Sequence, residues 1–107
     1  MKILYQLRIY TIESKKNAQE YFDVHWTKHI VSLKKFNIEV CDVYMEDEPD
    51  SKNCYRVIAV VMAENKASLL SSNEEYMRSQ AFEEDMQGFD MSAIKNVEAI
   101  NLNRKHF

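Results

Sequence analysis

Six residues of this 107-residue chain are of types that do chemistry. His25 and His29 stand four apart, one helical turn, the separation that two metal-binding imidazoles need. A zinc site wants at least a third ligand, and His106 is the only other histidine. Trp26, Thr27 and Lys28 lie between the pair, so the helical zinc-protease motif with its glutamate is absent and no metal is expected. Two readings remain for the histidines: packed members of a sheet-facing stripe, or contacts to a small molecule. Trp26, the sole tryptophan, is either core, with its indole N–H seeking an acceptor, or the wall of a pocket for a flat ligand beside His29. Arg8 and Tyr10, two apart, share a face of an extended strand. A buried arginine needs a partner, and Asp42 or Glu98 on other strands is one choice. The other is the carboxylate or enolate of a bound ligand, gripped by a bidentate contact. Tyr44 offers a hydroxyl donor to that face. The candidate ligand-binding set is therefore Arg8, Tyr10, His25, Trp26, His29 and Tyr44. Alternation does not say which sheet face carries Arg8.

No other constellation stands out. Cys41 and Cys54 fall on two arms of a predicted hairpin, close enough in principle to meet, yet no Cys-x-x-Cys exists and buried thiols are the expectation. Asp85 and Asp90 read as cap and turn residues. The six methionines are scattered gap fillers. There is no Ser/His/Asp set, phosphate loop or dinucleotide fingerprint, so no cofactor is expected. Fourteen Lys/Arg against seventeen Asp/Glu give a net charge of −3, which argues against nucleic-acid binding through a concentrated basic face. The balance is uneven: residues 1–37 carry seven basic and three acidic side chains, and 38–107 carry seven and fourteen. No run approaches the ~18 apolar residues of a membrane span. The opening MKILYQLRIY is broken by Arg8 and does not read as an export signal. The expected setting is the cytoplasm, with reduced thiols.

The elements that must position these residues follow from periodicity. KILYQLRIYTI (2–12) reads as a strand. Ser14 caps a helix running to about Phe36 or Asn37. Its inward stripe is Ala18, Phe22, Trp26 or His25, His29, Leu33 and Phe36. IEVCDVYME (38–46) alternates as a strand. An acidic turn with the only proline leads into CYRVIAVVMAE (54–64), whose nearly continuous apolar character marks a central buried strand. A second helix spans about 66–78, with Leu69, Leu70, Asn73 and Met77 inward. A further helical turn lies around Phe82–Met86, with Gly88 as its stop, and IKNVEAINL (94–102) is the last strand. The order β-α-β-β-α-β is the ferredoxin-like pattern of an α+β fold, with a four-stranded antiparallel sheet in one domain over residues 1–107. Two helices cover one sheet face and nothing remains for the other. A second copy meeting it by twofold symmetry is the expected partner.

The segments YQLRIYTI, Trp26-Thr-Lys-His29, Val43-Tyr44 and EYMRSQAFEEDMQGFD, the last with Tyr76, Ser79, Phe82 and Asp85, resemble those of NIPSNAP-like proteins in the dimeric α+β-barrel superfamily. The glycines usual after the first strand and first helix are replaced here by Glu13-Ser14 and Asn37-Ile38. The resemblance implies a homodimer whose two sheets form a barrel, with small-molecule sites between each sheet and its own helices. Superfamily members include cofactor-independent monooxygenases, lactone isomerases, haem-binding enzymes and small proteins without known activity. The functional expectation is a protein that binds a small organic molecule without a defined catalytic set. The alternative is a cofactor-independent monooxygenase or isomerase of a small aromatic or enolisable compound. In that case Trp26 and His29 position the substrate, Arg8 or Tyr44 stabilises an oxyanion, and a histidine moves the proton.

Overall fold

The computed structural model describes residues 3–105; Lys2 of the first predicted strand and His106 lie outside them. Strands β1 (Leu4–Glu13), β2 (Glu39–Met45), β3 (Cys54–Ala63) and β4 (Ile94–Leu102) form one sheet in the order β2-β3-β1-β4. Every neighbouring pair is antiparallel, the ferredoxin-like arrangement expected. Residues Lys15–Lys35 are helical throughout: α1 (Lys15–Glu20), a π-helical turn (Tyr21–His25) and α2 (Trp26–Lys35). Helices α3 (Lys66–Met77) and α4 (Gln80–Asp85) follow β3, and a 3₁₀ turn (Met91–Ala93) leads into β4. The shortest dimension of the molecule is 18 Å, the depth of one sheet and one helical layer.

Strand alternation divides the sheet cleanly. Ile12, Val57, Ala59 and Val61 are fully buried beneath the helices, and Arg8 and Tyr10 share their face through the pairs Arg8↔Ala59 and Tyr10↔Val57. The intervening residues form the opposite face, where the pairs Leu7↔Val60 and Ile9↔Ile58 make an apolar patch that Ile100 extends beside Leu7. Among the described residues no element covers it.

Two local irregularities decide where side chains point. In the π-helical turn the Trp26 N–H bonds five residues back to the Tyr21 carbonyl. That extra residue rotates the helix, so Tyr21, not the expected Phe22, enters the core, and His25 and Trp26 both turn inward. Such turns favour functional positions because they re-aim side chains. In β2 the register slips between Val40 and Asp42, making Cys41 a bulge. Val40 opposes buried Val61, but Asp42 and Tyr44 oppose Val60 and Ile58 on the uncovered face, so the regular alternation expected of this strand fails. In α3, Leu69 and Tyr76 are the buried residues, while Leu70, Asn73 and Met77 border the space between helices and sheet on the inward side expected, with Leu70 and Met77 63% and 50% exposed.

The two missing glycines have a structural counterpart. Ser14 has φ 72° and Asn37 φ 66°, so the left-handed backbone is kept while the residue that adopts it freely is not. Ser14 offsets part of that strain by capping α1, its Oγ accepting from the Asn17 N–H at 3.2 Å. Gly88, at φ 85°, reverses the chain after α4, as expected. Cys41 and Cys54 are both free. Cys54 begins β3 opposite Glu13, whereas Cys41 sits near Val60 and Val61, roughly 20 Å away along the strand at ~3.3 Å per residue. The hairpin does not bring them together.

Candidate functional site

A cavity of about 660 Å³ lies between the helix-facing side of the sheet and the helices, within the size range of small-molecule sites. Arg8 and Tyr10 of β1 and Val97 and Ala99 of β4 line its floor; Tyr21, Trp26 and His29 of the long helix, Tyr76 of α3, and Phe82 and Met86 line its other walls. The walls are a connected aromatic cluster. Tyr10 meets Trp26 edge-on at 5.8 Å between ring centroids, Trp26 meets His29 at 5.2 Å, and Phe82 stacks on His29 at 6.1 Å and 14°. Trp26 Nε1 is enclosed without a hydrogen-bond partner, so the acceptor expected for it is not supplied by the described residues.

Two polar rows cross this apolar space. On the floor, Arg8 is 8% exposed. Its Nε donates to Gln6 Oε1 at 2.8 Å, and Gln6 Nε2 donates to Asn101 Oδ1 at 3.0 Å. The acidic partners expected for Arg8 are not there. Asp42 opposes Val60 and Glu98 opposes Ile9, which places both on the other sheet face. Among the described residues no carboxylate pairs with Arg8. Arg8 itself lines the cavity. Tyr10 stands beside this guanidinium, and burial raises its hydroxyl pKa against the lowering pull of Arg8.

On the helical side, the Tyr76 hydroxyl donates to Asp85 Oδ2 at 2.6 Å and is in hydrogen-bond contact with His29 Nδ1. Burial, then the bond to Asp85, pushes the Tyr76 phenol far above its ordinary range. Burial lowers the His29 pKa to about 4; the Asp85 charge opposes this, and His25 and Arg8 reinforce it. His29 is therefore neutral at ordinary pH.

His25 behaves differently. It is 1% exposed, its Nδ1 lies 2.7 Å from the Asp85 carbonyl oxygen and its Nε2 lies 2.9 Å from Glu20 Oε2. With both ring nitrogens engaged, it ties the long helix to the end of α4 and does not line the cavity. Tyr44 is also absent from the site: it is 55% exposed on the uncovered face. The structure thus gathers Arg8, Tyr10, Trp26 and His29 at one cavity and leaves His25 and Tyr44 out. It adds Tyr76 at the cavity with Asp85 bonded behind it, neither of which side-chain spacing singled out for chemistry; only the resemblance of segment 75–90 drew them in. Among the described residues no cluster of three His, Cys, Asp or Glu side chains is placed to hold a metal.

A ferredoxin-like sheet with a cavity under its helices is the class this geometry defines, and solved structures of that class resemble the whole chain. A NIPSNAP family protein from Agrobacterium tumefaciens superposes with a TM-score of 0.76 at 16% identity, covering 98% of this chain and 95% of that one. An uncharacterised NIPSNAP domain protein from Burkholderia xenovorans gives 0.73 at 12%, covering 97% and 96%. A cofactor-independent oxygenase, SnoaB from Streptomyces nogalater, gives 0.55 at 12%, covering 100% and 97%. No protein-family model and no curated protein matches the sequence. The resemblance to NIPSNAP-like proteins therefore extends from short motifs to the complete fold. At these identities it establishes the fold and not an activity.

Proposed function

We propose that this chain is a NIPSNAP-like homodimer that binds a small, largely apolar organic anion between its sheet and helices. The observation that carries the reading is Arg8: a buried arginine, without an acidic partner among the described residues, at a cavity walled by aromatic rings. Leaving a charge so placed is costly unless something pairs it, and a carboxylate or enolate presents the oxygens that an arginine fork matches. Lys66 at the cavity wall adds positive potential on an acidic chain. The uncovered sheet face, with Leu7, Ile9, Ile58, Val60 and Ile100 in one patch, supports pairing of two copies through that face. No described helix is long and apolar enough to cross a membrane, and two free thiols suit the reducing cytoplasm.

A second reading, catalysis without a cofactor, draws on the likeness to an oxygenase fold and on a neutral histidine at the cavity wall. Native mass spectrometry of freshly purified protein tests the primary reading. A dimer carrying an added small-molecule mass that Arg8→Gln no longer retains supports it. A bare monomer contradicts the assembly, and an adduct equally retained by Arg8→Gln contradicts the role of Arg8.

A further inference from the structure

We propose that Asp85, Tyr76 and His29 form a directional hydrogen-bond relay that presents His29 Nε2 to the cavity as the proton acceptor for a carbon acid, specifically an aryl-bearing α-keto or 1,3-dicarbonyl acid whose developing oxyanion Arg8 holds. The proposal rests on the anion-binding reading above and deepens it by naming a substrate class and a base.

The direction of the relay follows from counting protons. A carboxylate only accepts, so the single Tyr76 hydroxyl proton is spent on Asp85. The Tyr76 oxygen can then only accept from His29, which puts the imidazole proton on Nδ1. A neutral imidazole has one N–H, so Nε2 carries a lone pair. Nε2 has no hydrogen-bond partner among the described residues and is not an enclosed unpartnered atom; it opens to the cavity that His29 lines. The contrast with His25 is instructive. A histidine serving only structure has both nitrogens tied down and stands off the cavity, whereas His29 has one nitrogen fixed and one presented.

The chemistry balances without an added oxidant. Nε2 takes the proton from the carbon next to the carbonyl. The electron pair of the broken C–H bond becomes the enolate C=C, and the carbonyl π pair moves to oxygen, where the Arg8 N–H groups meet it. The imidazolium returns the proton to carbon, or to the enolate oxygen to release the enol. Asp85, acting through Tyr76, steadies the transient positive charge. The groups facing His29 are Asp85, whose charge favours protonation, and Arg8 and His25, which oppose it; the neutral Tyr76 phenol bonds it directly. Tyr76 and Asp85 are positioning residues, and His29 is the catalytic one. Trp26, Tyr21 and Phe82 form an aromatic wall suited to an aryl group.

Phenylpyruvate serves as the probe, because it joins a carboxylate, an aryl ring and an acidic C–H. In heavy water, the wild-type protein is expected to speed deuterium uptake at the benzylic carbon by about 100-fold over buffer, within the usual range for a positioned base. His29→Gln is expected to return the rate to that of buffer while phenylpyruvate still perturbs Trp26 fluorescence. Tyr76→Phe should lower the rate roughly 10-fold, and nitrogen-15 spectra should show His29 leaving the Nδ1–H form, a change that a purely structural tyrosine would not produce. Exchange that survives His29→Gln, or an Nε2–H His29 in the wild type, overturns the proposal. Binding without exchange overturns the catalytic role alone. Failure to bind overturns the anion-pocket reading and this substrate class together.

Discussion

The two faces of one sheet are made by alternate residues of the same strands, yet they differ in every property that matters here. The helix-facing side carries Ile12, Val57, Ala59 and Val61 at zero exposure, and among them Arg8, without an acidic partner among the described residues. The other side carries Leu7, Ile9, Ile58 and Val60, apolar residues that no described element covers. A charge buried under helices and an apolar patch left open are each unfavourable taken alone. In the reading proposed above, something outside the chain resolves each: a ligand for the first, a second copy for the second. A one-residue change of register exchanges these roles, so the sheet register is also the assignment of function.

The largest expected effect comes from breaking the uncovered face. Leu7→Glu places a charge at the centre of the patch, between Val60 and Ile100. It should weaken self-association by roughly 10²- to 10³-fold, the scale of losing an interface anchor. Sedimentation equilibrium checks this; an unchanged dimer would place the interface elsewhere.

The next effect lies under the helices. Because burial holds the His29 pKa at about 4, below the ordinary histidine value of about 6.5, folding favours the neutral ring. Its contribution is complete above about pH 6.5 and is lost as pH falls from there through about 4. At ~1.4 kcal/mol per pKa unit, the loss is about 3.5 kcal/mol at most. Denaturant titrations between pH 7 and 4 should show a steeper decline for wild type than for His29→Gln, and parallel curves would contradict the burial argument.

These contrasts also show what could be read in advance. Element order, the central place of β3 and the pairing of Arg8 with Tyr10 on one face follow from periodicity, which is a local property. The position of Tyr44 is not local. It depends on the bulge at Cys41, where one extra residue sends Asp42 and Tyr44 to the other face. Likewise, Tyr21 replaces Phe22 in the core because a π-helical turn adds a residue to the helical repeat. Neither insertion carries a composition signal. The Tyr76–Asp85 bond joins the end of α3 to the end of α4, so it appears only once the turn between them is built. Arg8 is legible as a buried arginine needing a partner, but Asp42 and Glu98, the acids that neighbouring strands offer, face away from it.

A smaller effect sharpens the reading of Arg8. Arg8→Gln should change folding stability by no more than about 1 kcal/mol, since it loses one side-chain hydrogen bond and relieves an unpaired buried charge. Loss of a buried ion pair would instead cost about 3–5 kcal/mol, and a value in that range from chemical denaturation would make Arg8 structural. Smallest of all, Asn37→Gly should raise stability by a few tenths of a kcal/mol to about 1, because Asn37 holds φ 66°. A destabilised variant would mean that the asparagine side chain matters more than its backbone.

The central claim is that the helix-facing side of the sheet holds an anion on Arg8. Titrating the protein with an aryl carboxylate while following the fluorescence of Trp26, the sole tryptophan and a wall of the cavity, tests it most directly. A saturable change is expected in the wild type, weakening at least about tenfold in Arg8→Gln, the scale of one charge-assisted contact, with Arg8→Gln still folded. Equal affinity in the two proteins, or no saturable change in either, would contradict it.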